Sequence, residues 1–261
     1  MFVKSDILRS PHAFSTRRGG ISELAHTKSL NLAFGRGDDE DVVLKNLEIF
    51  ADSVGFDKES IVSLPQIHSD RVFTVTRENC GQGYFIREGI DEGDGYVTTE
   101  RGVTLGIKTA DCAPILFEAY REGEVVAVGA AHAGWRGTVA GIAVRCAERL
   151  AEASGVEISD IRACIGPCIH KCCYEVSDDV AIAAREGVGR GLAERFVVPN
   201  GVGKYQCDIA GLNRELLIKH GLLEKNVQII DECTCCNPEK YFSHRFSGGM
   251  RGTMLSVIFM K

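Results

Sequence analysis

Two apolar segments in the middle of the chain, "APILFEA" at 113–119 and "EVVAVGAAH" at 124–132, have the length and composition of buried strands. The second runs directly into His132 and then into "AGWRG", where Gly134 and Gly137 let the backbone turn tightly and approach a ligand. Loops at strand ends carry binding residues on a rigid scaffold, so a histidine at this position indicates more than a core residue. The segment therefore predicts a sheet that ends in a functional site.

Strand-length segments also occur at 71–77, 103–109 and 255–261, and helical patterns occur at 39–55, 137–155, 177–189 and 208–222. The helix 137–155 is expected to begin after Gly137, with its positive N-terminus toward His132. The glycine-rich segment 78–98 is either a mobile lid or a long surface connection. No repeat or linker divides the chain, so we expect a single α+β domain over residues 1–261, with many antiparallel strand neighbours.

The charge pattern narrows the possible partners. The net charge of −6 is spread along the chain, and no basic run could follow a phosphate backbone, so nucleic acid is not an expected partner. The first twenty residues lack a signal-peptide apolar segment, and no stretch approaches the ~18 apolar residues of a membrane span. We therefore expect a cytoplasmic protein with no membrane partner.

Eleven cysteines, an odd number, cannot all pair within the chain. Most are bunched in "ACIGPCIHKCCYEV" at 163–176 and "DECTCCNPE" at 231–239. In a reducing compartment such residues are thiols or metal ligands rather than disulfides, and an iron–sulfur cluster would need tighter C-x-x-C repeats. Buried free thiols are favoured here over a structural zinc that joins the two bunches.

Three residues that bear chemistry lie where predicted strands begin or end: His68 in "LPQIHSDRV", Cys112 in "KTADCAPIL" and His132. Two imidazoles and one thiolate can hold Zn²⁺ and leave a fourth position for water, whose proton is then lost near neutral pH. The same set matches a blue-copper site, and Cys112 with a histidine base matches a metal-free cysteine hydrolase. No local rule brings His68 and Cys112 together.

Eight motifs together give the chain a family resemblance. These are "FSTRRGGIS", "SLNLAF", "LPQIHSDRV", "DGYVT", "GIKTADCAPIL", "AAHAGWRGTVAG", "CIGPCIHKCCYEV" and "YFSHR". In this order they strongly resemble the laccase-domain family, also called the multicopper polyphenol oxidase or YfiH-like family, whose members are regarded as purine nucleoside phosphorylases. The family's metal-binding motifs fall on His68, Cys112 and His132.

The resemblance implies a four-layer α/β/β/α sandwich with mixed sheets and a zinc-dependent, monomeric or small homo-oligomeric enzyme. That enzyme cleaves adenosine, inosine, guanosine or methylthioadenosine with phosphate and also deaminates adenosine. The metal ligands would be the catalytic residues, and purine nucleoside and phosphate would be the partners. Candidate substrate-binding residues are Arg17, Asn31, Gln66 and Arg245.

The sequence departs from the family pattern near its C-terminus. Arg245 is followed by Phe246 rather than by a second arginine, and "SGGMRGTML" replaces the usual run. The family motifs assign no role to the extra thiols Cys168, Cys172, Cys235 and Cys236. A copper oxidase is less favoured than a zinc enzyme because the chain has only 7 histidines and 4 methionines. A purine- or metal-sensing module would require a closed metal shell, but only three ligands are identified.

Overall fold

The computed structural model describes residues 1–261 and contains fourteen strands and seven α-helices. The strands are β1 (Phe2–Val3), β2 (His12–Ser15), β3 (Ile61–Val62), β4 (Val72–Thr74), β5 (Gly95–Thr98), β6 (Thr104–Thr109), β7 (Ala113–Arg121), β8 (Glu124–Ala133), β9 (Ile161–Ile165), β10 (Glu175–Ser177), β11 (Val197–Pro199), β12 (Lys204–Cys207), β13 (Val227–Ile229) and β14 (Met254–Phe259). The helices are α1 (Glu40–Val54), α2 (Trp135–Ala140), α3 (Ile142–Ser154), α4 (Asp178–Val188), α5 (Arg190–Phe196), α6 (Ile209–Lys219) and α7 (His244–Ser247).

Two large mixed sheets pack face to face at the centre of the molecule. One has five strands in the order β1-β2-β14-β6-β3, and the other has six in the order β13-β9-β7-β8-β5-β4. Apolar side chains from both, such as Leu105 and Ile107 on β6 and Leu116 and Val128 on β7 and β8, form one buried cluster between them. A small third sheet has the order β10-β12-β11.

Helices cover the outer faces of both large sheets. On α1, Val43, Leu47, Phe50 and Ala51 recur at helical spacing and pack with strand residues of the five-stranded sheet. Helix α3 packs in the same way against the six-stranded sheet, through residues that include Cys146. The layers are therefore helix, sheet, sheet and helix, which confirms the α/β/β/α expectation.

The helix predicted at 137–155 is two helices. Helix α2 begins at Trp135, two residues before Gly137, and ends at Ala140, because the φ of 88° at Gly141 cannot continue a right-handed helix. Helix α3 then begins at Ile142. The expected helix start after Gly137 is therefore wrong, and the six-residue α2 occupies that place.

The sheets are mixed, as the family resemblance implies, and most strand pairs are antiparallel. Strands β7 and β8, both predicted as strand segments, form an antiparallel hairpin in which Pro114 pairs with His132. Three pairs, β3–β6, β4–β5 and β9–β13, are parallel, because the connection between each two strands returns the chain to the end at which the first strand began.

The glycine-rich segment 78–98 is anchored to the rest of the protein. Tyr84 is buried and its hydroxyl donates to the backbone oxygen of Leu32, while a Cβ at Gly83 would lie 1.8 Å from the Ser63 backbone oxygen. This packing favours the interpretation as a connection over that as a lid. Elsewhere in the molecule, every helix is too short or too polar to cross a lipid bilayer.

Candidate active site

His68, Cys112 and His132 converge at one end of the two sheets. Their ligand atoms all lie within 4.8 Å of one another, and the two imidazole rings are 4.8 Å apart between centroids. The hairpin explains half of this arrangement, since Ala113 at the start of β7 pairs with Ala133 at the end of β8. Cys112, one residue before Ala113, is thereby placed beside His132.

The backbone at the site is shaped for close approach. Both His68 and Asp111, the neighbour of Cys112, have positive φ angles, 61° and 97°, which turn the chain sharply. A Cβ at Gly134 would lie 3.0 Å from His68 Cδ2 and 3.1 Å from Cys112 Sγ. Only glycine therefore lets the backbone of the "AGWRG" turn pass between these two side chains without displacing them.

Asp94 organises the cluster from behind. It lies just before β5, which pairs with β8 so that Gly95 faces Ala131, and its buried carboxylate accepts a 2.8 Å hydrogen bond from His132 Nδ1. The same carboxylate accepts bonds from the backbone N–H of His68 (3.0 Å) and Ser69 (2.6 Å). With Nδ1 held in this way, Nε2 of His132 is the atom left to bind a ligand. Asp94 was not among the residues predicted from the sequence, although an acidic residue directly before a strand in "GDGYV" was a usable signal.

The Cys112 thiol and the His132 imidazole shift each other's pKa. Burial raises the pKa of Cys112, but the adjacent His132 and His68 outweigh burial and bring that pKa down to about 6. Burial likewise lowers the pKa of His132, but Cys112 and Asp94 outweigh it and raise the pKa to about 9. Cys112 is therefore a thiolate at neutral pH, which is the form that binds metals and attacks electrophiles.

The cluster opens into a cavity of about 290 Å³. Its wall includes Ala33, Phe34, Arg36, Gln66, His68, Lys108, Thr109, Ala110, Cys112, His132, Arg251 and Thr253. Three of these residues, Arg36, Lys108 and Arg251, carry positive charge at neutral pH and were not predicted from the sequence. Arg251 belongs to the "SGGMRGTML" run, and the pairing of Met254 with Thr109 brings that run to the end of β6.

Two of the cavity cations are strongly desolvated. Burial lowers the pKa of Lys108 to about 8 and the pKa of Arg251 to about 10. Arg251 Nη1 donates to Thr253 Oγ1 at 2.7 Å, but its buried Nε has no hydrogen-bond partner. Buried donors are normally paired, so these groups are suited to an anion that enters the cavity.

The predicted substrate-binding residues lie in different places. Gln66 lines the cavity, where its amide exchanges two 2.8 Å hydrogen bonds with the backbone of Lys108. Asn31 is buried behind the wall, and its amide bonds to Ala33 O (3.0 Å) and Thr253 N (3.0 Å). Gln66 and Asn31 therefore hold the wall of the cavity in position.

The two predicted arginines lie outside the cavity lining. Arg17 donates to the backbone oxygens of Lys28 (2.9 Å) and Pro238 (2.8 Å), and its guanidinium lies 4.7 Å from the Phe242 ring centre. Arg245 donates to the backbone oxygens of Cys173 (2.9 Å) and Glu175 (2.7 Å). Their binding of substrate stays a prediction, and the geometry favours Lys108 and Arg251 instead because those two residues line the cavity.

The chain matches a known protein family and resembles several known proteins. Residues 11–261 match the sequence model of the multi-copper polyphenol oxidoreductase laccase family. The chain belongs to this family. It is 37% identical over 252 residues to purine nucleoside phosphorylase YlmD of Bacillus subtilis, covering 95% of this chain and 87% of that protein. It is 33% identical over 261 residues to adenosine deaminase RL5 of an unknown prokaryotic organism, covering 100% of this chain and 97% of that protein.

A solved structure supports the fold assignment. The crystal structure of Bacillus licheniformis hypothetical protein YfiH superposes with a TM-score of 0.89 at 33% identity, covering 96% of this chain and 92% of that one. The resemblance drawn from the sequence motifs is thereby confirmed. The family description names copper, whereas the relatives' names concern purine nucleosides, and these descriptions make different demands on the site.

Proposed function

We propose that the protein is a zinc-dependent purine nucleoside phosphorylase. It would cleave adenosine, inosine, guanosine or methylthioadenosine with phosphate and would also deaminate adenosine. The observation that carries this proposal is the convergence of His68, Cys112 and His132 at the wall of a cavity lined by cations. The names of the relatives, phosphorylase and deaminase, support the same reaction classes.

The donor set fits zinc. Zn²⁺ accepts both borderline imidazole and soft thiolate donors, and three protein ligands are the usual number in a catalytic zinc site. When bound, such an ion acidifies a water molecule and polarises an electronegative atom of the substrate. The ligands would be His68, Cys112 and His132, with Asp94 fixing the tautomer of His132.

Copper oxidation is less well supported by the same residues. The structure gathers only two of the seven histidines at the cluster, whereas a multicopper oxidase needs several histidine-rich sites. No methionine lines the cavity, so the weak axial ligand usual in a blue-copper site has no candidate there.

Phosphorolysis forms a bond from a phosphate oxygen to ribose C1′ while the bond from C1′ to the purine nitrogen breaks. The bonding electron pair leaves with the purine, which then takes up a proton. Lys108 and Arg251 would hold the phosphate dianion. Burial disfavours their charged forms, and a bound anion would stabilise those forms. Phe34 on the cavity wall offers an aromatic face for the purine. In deamination, water adds at C6 of adenine and ammonia leaves.

A metal-free cysteine hydrolase is the second candidate, because Cys112, His132 and Asp94 are arranged as a nucleophile, a base and an orienting carboxylate. His68 weighs against it. A cysteine nucleophile needs one base, whereas here a second imidazole lies against the same sulfur. Two imidazoles around one thiolate is a metal-ligand arrangement.

Substitution of Cys112 separates the two candidates. Carboxylate and imidazole also bind Zn²⁺, so Cys112→Asp and Cys112→His should retain part of the zinc and part of the adenosine-to-inosine turnover. A cysteine nucleophile would leave essentially no turnover in either variant. Zinc content is measured on the same samples, with Cys146→Ala as a control for removal of a buried thiol elsewhere. Full turnover in zinc-free wild-type protein would contradict the proposal.

A further inference from the structure

Four cysteines outside the cavity form a second cluster, which we call the four-cysteine cluster: Cys172, Cys173, Cys233 and Cys236. Their sulfur atoms all lie within 4.8 Å of one another. Cys236 Sγ lies 3.5 Å from Cys172 Sγ and 3.3 Å from Cys173 Sγ, and all four side chains are free thiols. These separations are far longer than a disulfide bond of about 2.05 Å.

The separations match a tetrahedral metal site. Zinc–sulfur bonds of about 2.3 Å in a tetrahedron place the sulfur atoms about 3.8 Å apart. Contacts of 3.3 and 3.5 Å and a maximum of 4.8 Å bracket that value. All four sulfur atoms therefore fit around a single ion.

The backbone around the four-cysteine cluster also suits metal binding. Cys233 and Cys236 have the C-x-x-C spacing of zinc-binding turns, and the adjacent pair Cys172 and Cys173 approaches from the opposite loop. The backbone N–H of His170 points at Cys233 Sγ at 3.4 Å, an interaction that stabilises metal-bound thiolates. Asn237 stabilises the C-x-x-C turn because its side-chain amide donates to Cys233 O at 2.8 Å.

Hydrophobic packing does not account for the cluster. Cys172 and Cys236 are exposed and Cys173 is half-buried, so only Cys233 is a core residue. Four polarisable sulfur atoms collected at the surface gain little from burial, and exposed thiols are open to oxidation unless a metal holds them. The preference for buried free thiols derived from the sequence therefore does not fit this group.

We propose that the four-cysteine cluster binds one structural Zn²⁺, independently of the ion proposed for the cavity. The four thiols bind as thiolates and release their protons to solvent. Thiolates are soft ligands, and a tetrahedral set of four favours zinc over harder divalent ions. With four protein donors the coordination shell is closed, so this ion holds the fold together and binds no substrate.

The proposed site supports the turn that carries Cys112. Thr234, inside the C-x-x-C turn, donates to Asp111 Oδ1 at 2.6 Å, and the backbone N–H of Arg245 donates to Asp111 Oδ2 at 2.7 Å. Arg245 in turn donates to Cys173 O at 2.9 Å. The loops joined by the ion therefore also fix Asp111, the neighbour of Cys112, and the ion would position an active-site turn from outside the cavity.

The test begins with a variant that leaves the four-cysteine cluster intact. His68→Ala/His132→Ala, purified as the full chain under reducing conditions, should retain one zinc per chain, and X-ray absorption at the zinc edge should show four sulfur neighbours at about 2.3 Å. A metal-free double variant, nitrogen or oxygen neighbours at the ion, or iron in place of zinc would each overturn the proposal.

The complementary variant is Cys233→Ser/Cys236→Ser, with Cys235→Ser as its matched control. Cys235 lies in the same turn but outside the cluster. The double variant should contain one zinc fewer than wild type, whereas the control should match wild type. Equal zinc contents in all three proteins, or a disulfide between Cys236 and Cys172 or Cys173 in the reduced wild-type protein, would contradict the proposal. If Cys233→Ser/Cys236→Ser fails to fold, the X-ray absorption spectrum of His68→Ala/His132→Ala still tests the proposal.

Discussion

The two cysteine-containing clusters differ in the number of donors and in their surroundings. The cavity cluster has three donors, His68, Cys112 and His132, and it borders a cavity of about 290 Å³. The four-cysteine cluster has four donors, and the backbone turns that present them are tied to other parts of the chain. An ion with three protein ligands keeps a position for water or substrate, whereas an ion with four does not. The same chain therefore carries one set of donors suited to chemistry and another suited to holding loops.

Removal of a donor from the cavity cluster should have the largest effect on activity. His68→Ala should lower both phosphorolysis and adenosine deamination by more than about 100-fold, beyond the 10- to 100-fold typical of outer-shell changes. Melting temperature should change little, because His68 lies on a loop and its ring is exposed to the cavity. Steady-state rates and thermal melts measure the two effects. His220→Ala, at an exposed residue directly after α6, is the control. Retention of turnover within tenfold of wild type would remove His68 from the catalytic site.

The carboxylate behind the cavity cluster should give the next largest effect. Asp94→Asn keeps the shape of the side chain but removes the charge that holds His132 Nδ1–H, so zinc affinity or turnover should fall by about 10- to 100-fold. Competition with a chelator measures the affinity. If Asp94→Asn binds zinc as tightly as wild type and turns over as fast, Asp94 has only a structural role.

The cavity cations should affect one reaction and spare the other. Loss of a charge-assisted hydrogen bond costs about 1.5–3 kcal/mol, so Lys108→Met should raise the KM for phosphate by about tenfold or more. Deamination, which uses no phosphate, should change much less. Arg17→Ala, whose guanidinium is bonded to Lys28 and Pro238, should leave the phosphate KM near that of wild type. A larger phosphate effect from Arg17→Ala than from Lys108→Met would restore the sequence-based hypothesis for Arg17.

The same lysine predicts a pH dependence. Because burial lowers the pKa of Lys108 to about 8, its side chain is charged below that pH and neutral above it. The kcat/KM for phosphate should therefore fall as pH rises through about 8, and Lys108→Arg should move the fall to higher pH, since arginine stays charged. The profile is measured with inosine at saturating concentration. An unchanged profile in Lys108→Arg would assign the titration to another group.

The four-cysteine cluster should affect stability more than activity. Joining Cys172 to Cys236, 64 positions apart, restricts the unfolded chain by an amount on the order of 4 kcal/mol if treated like a covalent crosslink. Cys233→Ser/Cys236→Ser should thus lower the melting temperature by roughly 10 °C. Turnover measured well below the melting transition should fall by less than about tenfold, below the 10- to 100-fold typical of outer-shell changes, because the cluster reaches Cys112 only through Asp111. Loss of all turnover with unchanged stability would reverse the roles of the two clusters.

Sequence reasoning reached the parts of the site that local rules or motifs describe. His68, Cys112 and His132 were singled out because they lie where predicted strands begin or end, and the β7–β8 hairpin of the structure places Cys112 beside His132. His68 lies in a loop positioned by long-range contacts, and the convergence of all three residues rested on the family resemblance because spacing alone does not predict it. The sandwich itself was also implied by that resemblance rather than by periodicity.

The remaining features depend on register between distant segments. Asp94 reaches His132 because β5 pairs with β8, and Arg251 reaches the cavity because β14 pairs with β6. The four-cysteine cluster joins residues about sixty positions apart, through the parallel contact between Cys168 and Cys233. No spacing within the sequence specifies these pairings. The break between α2 and α3 was missed for a different reason, because helical periodicity continues across Gly141 although its backbone is left-handed.

Stepwise return of zinc to metal-depleted protein tests most directly whether the cavity cluster is the catalytic one. The closed set of four thiolates should bind the first equivalent more tightly, so adenosine deamination should stay near zero until about one zinc per chain is bound and then rise to a plateau at about two. In Cys233→Ser/Cys236→Ser the rise should begin with the first zinc added and end at about one. Full turnover in the metal-depleted protein would contradict the zinc assignment and favour the cysteine hydrolase. Turnover restored only by copper, with oxygen consumed, would instead favour the oxidase.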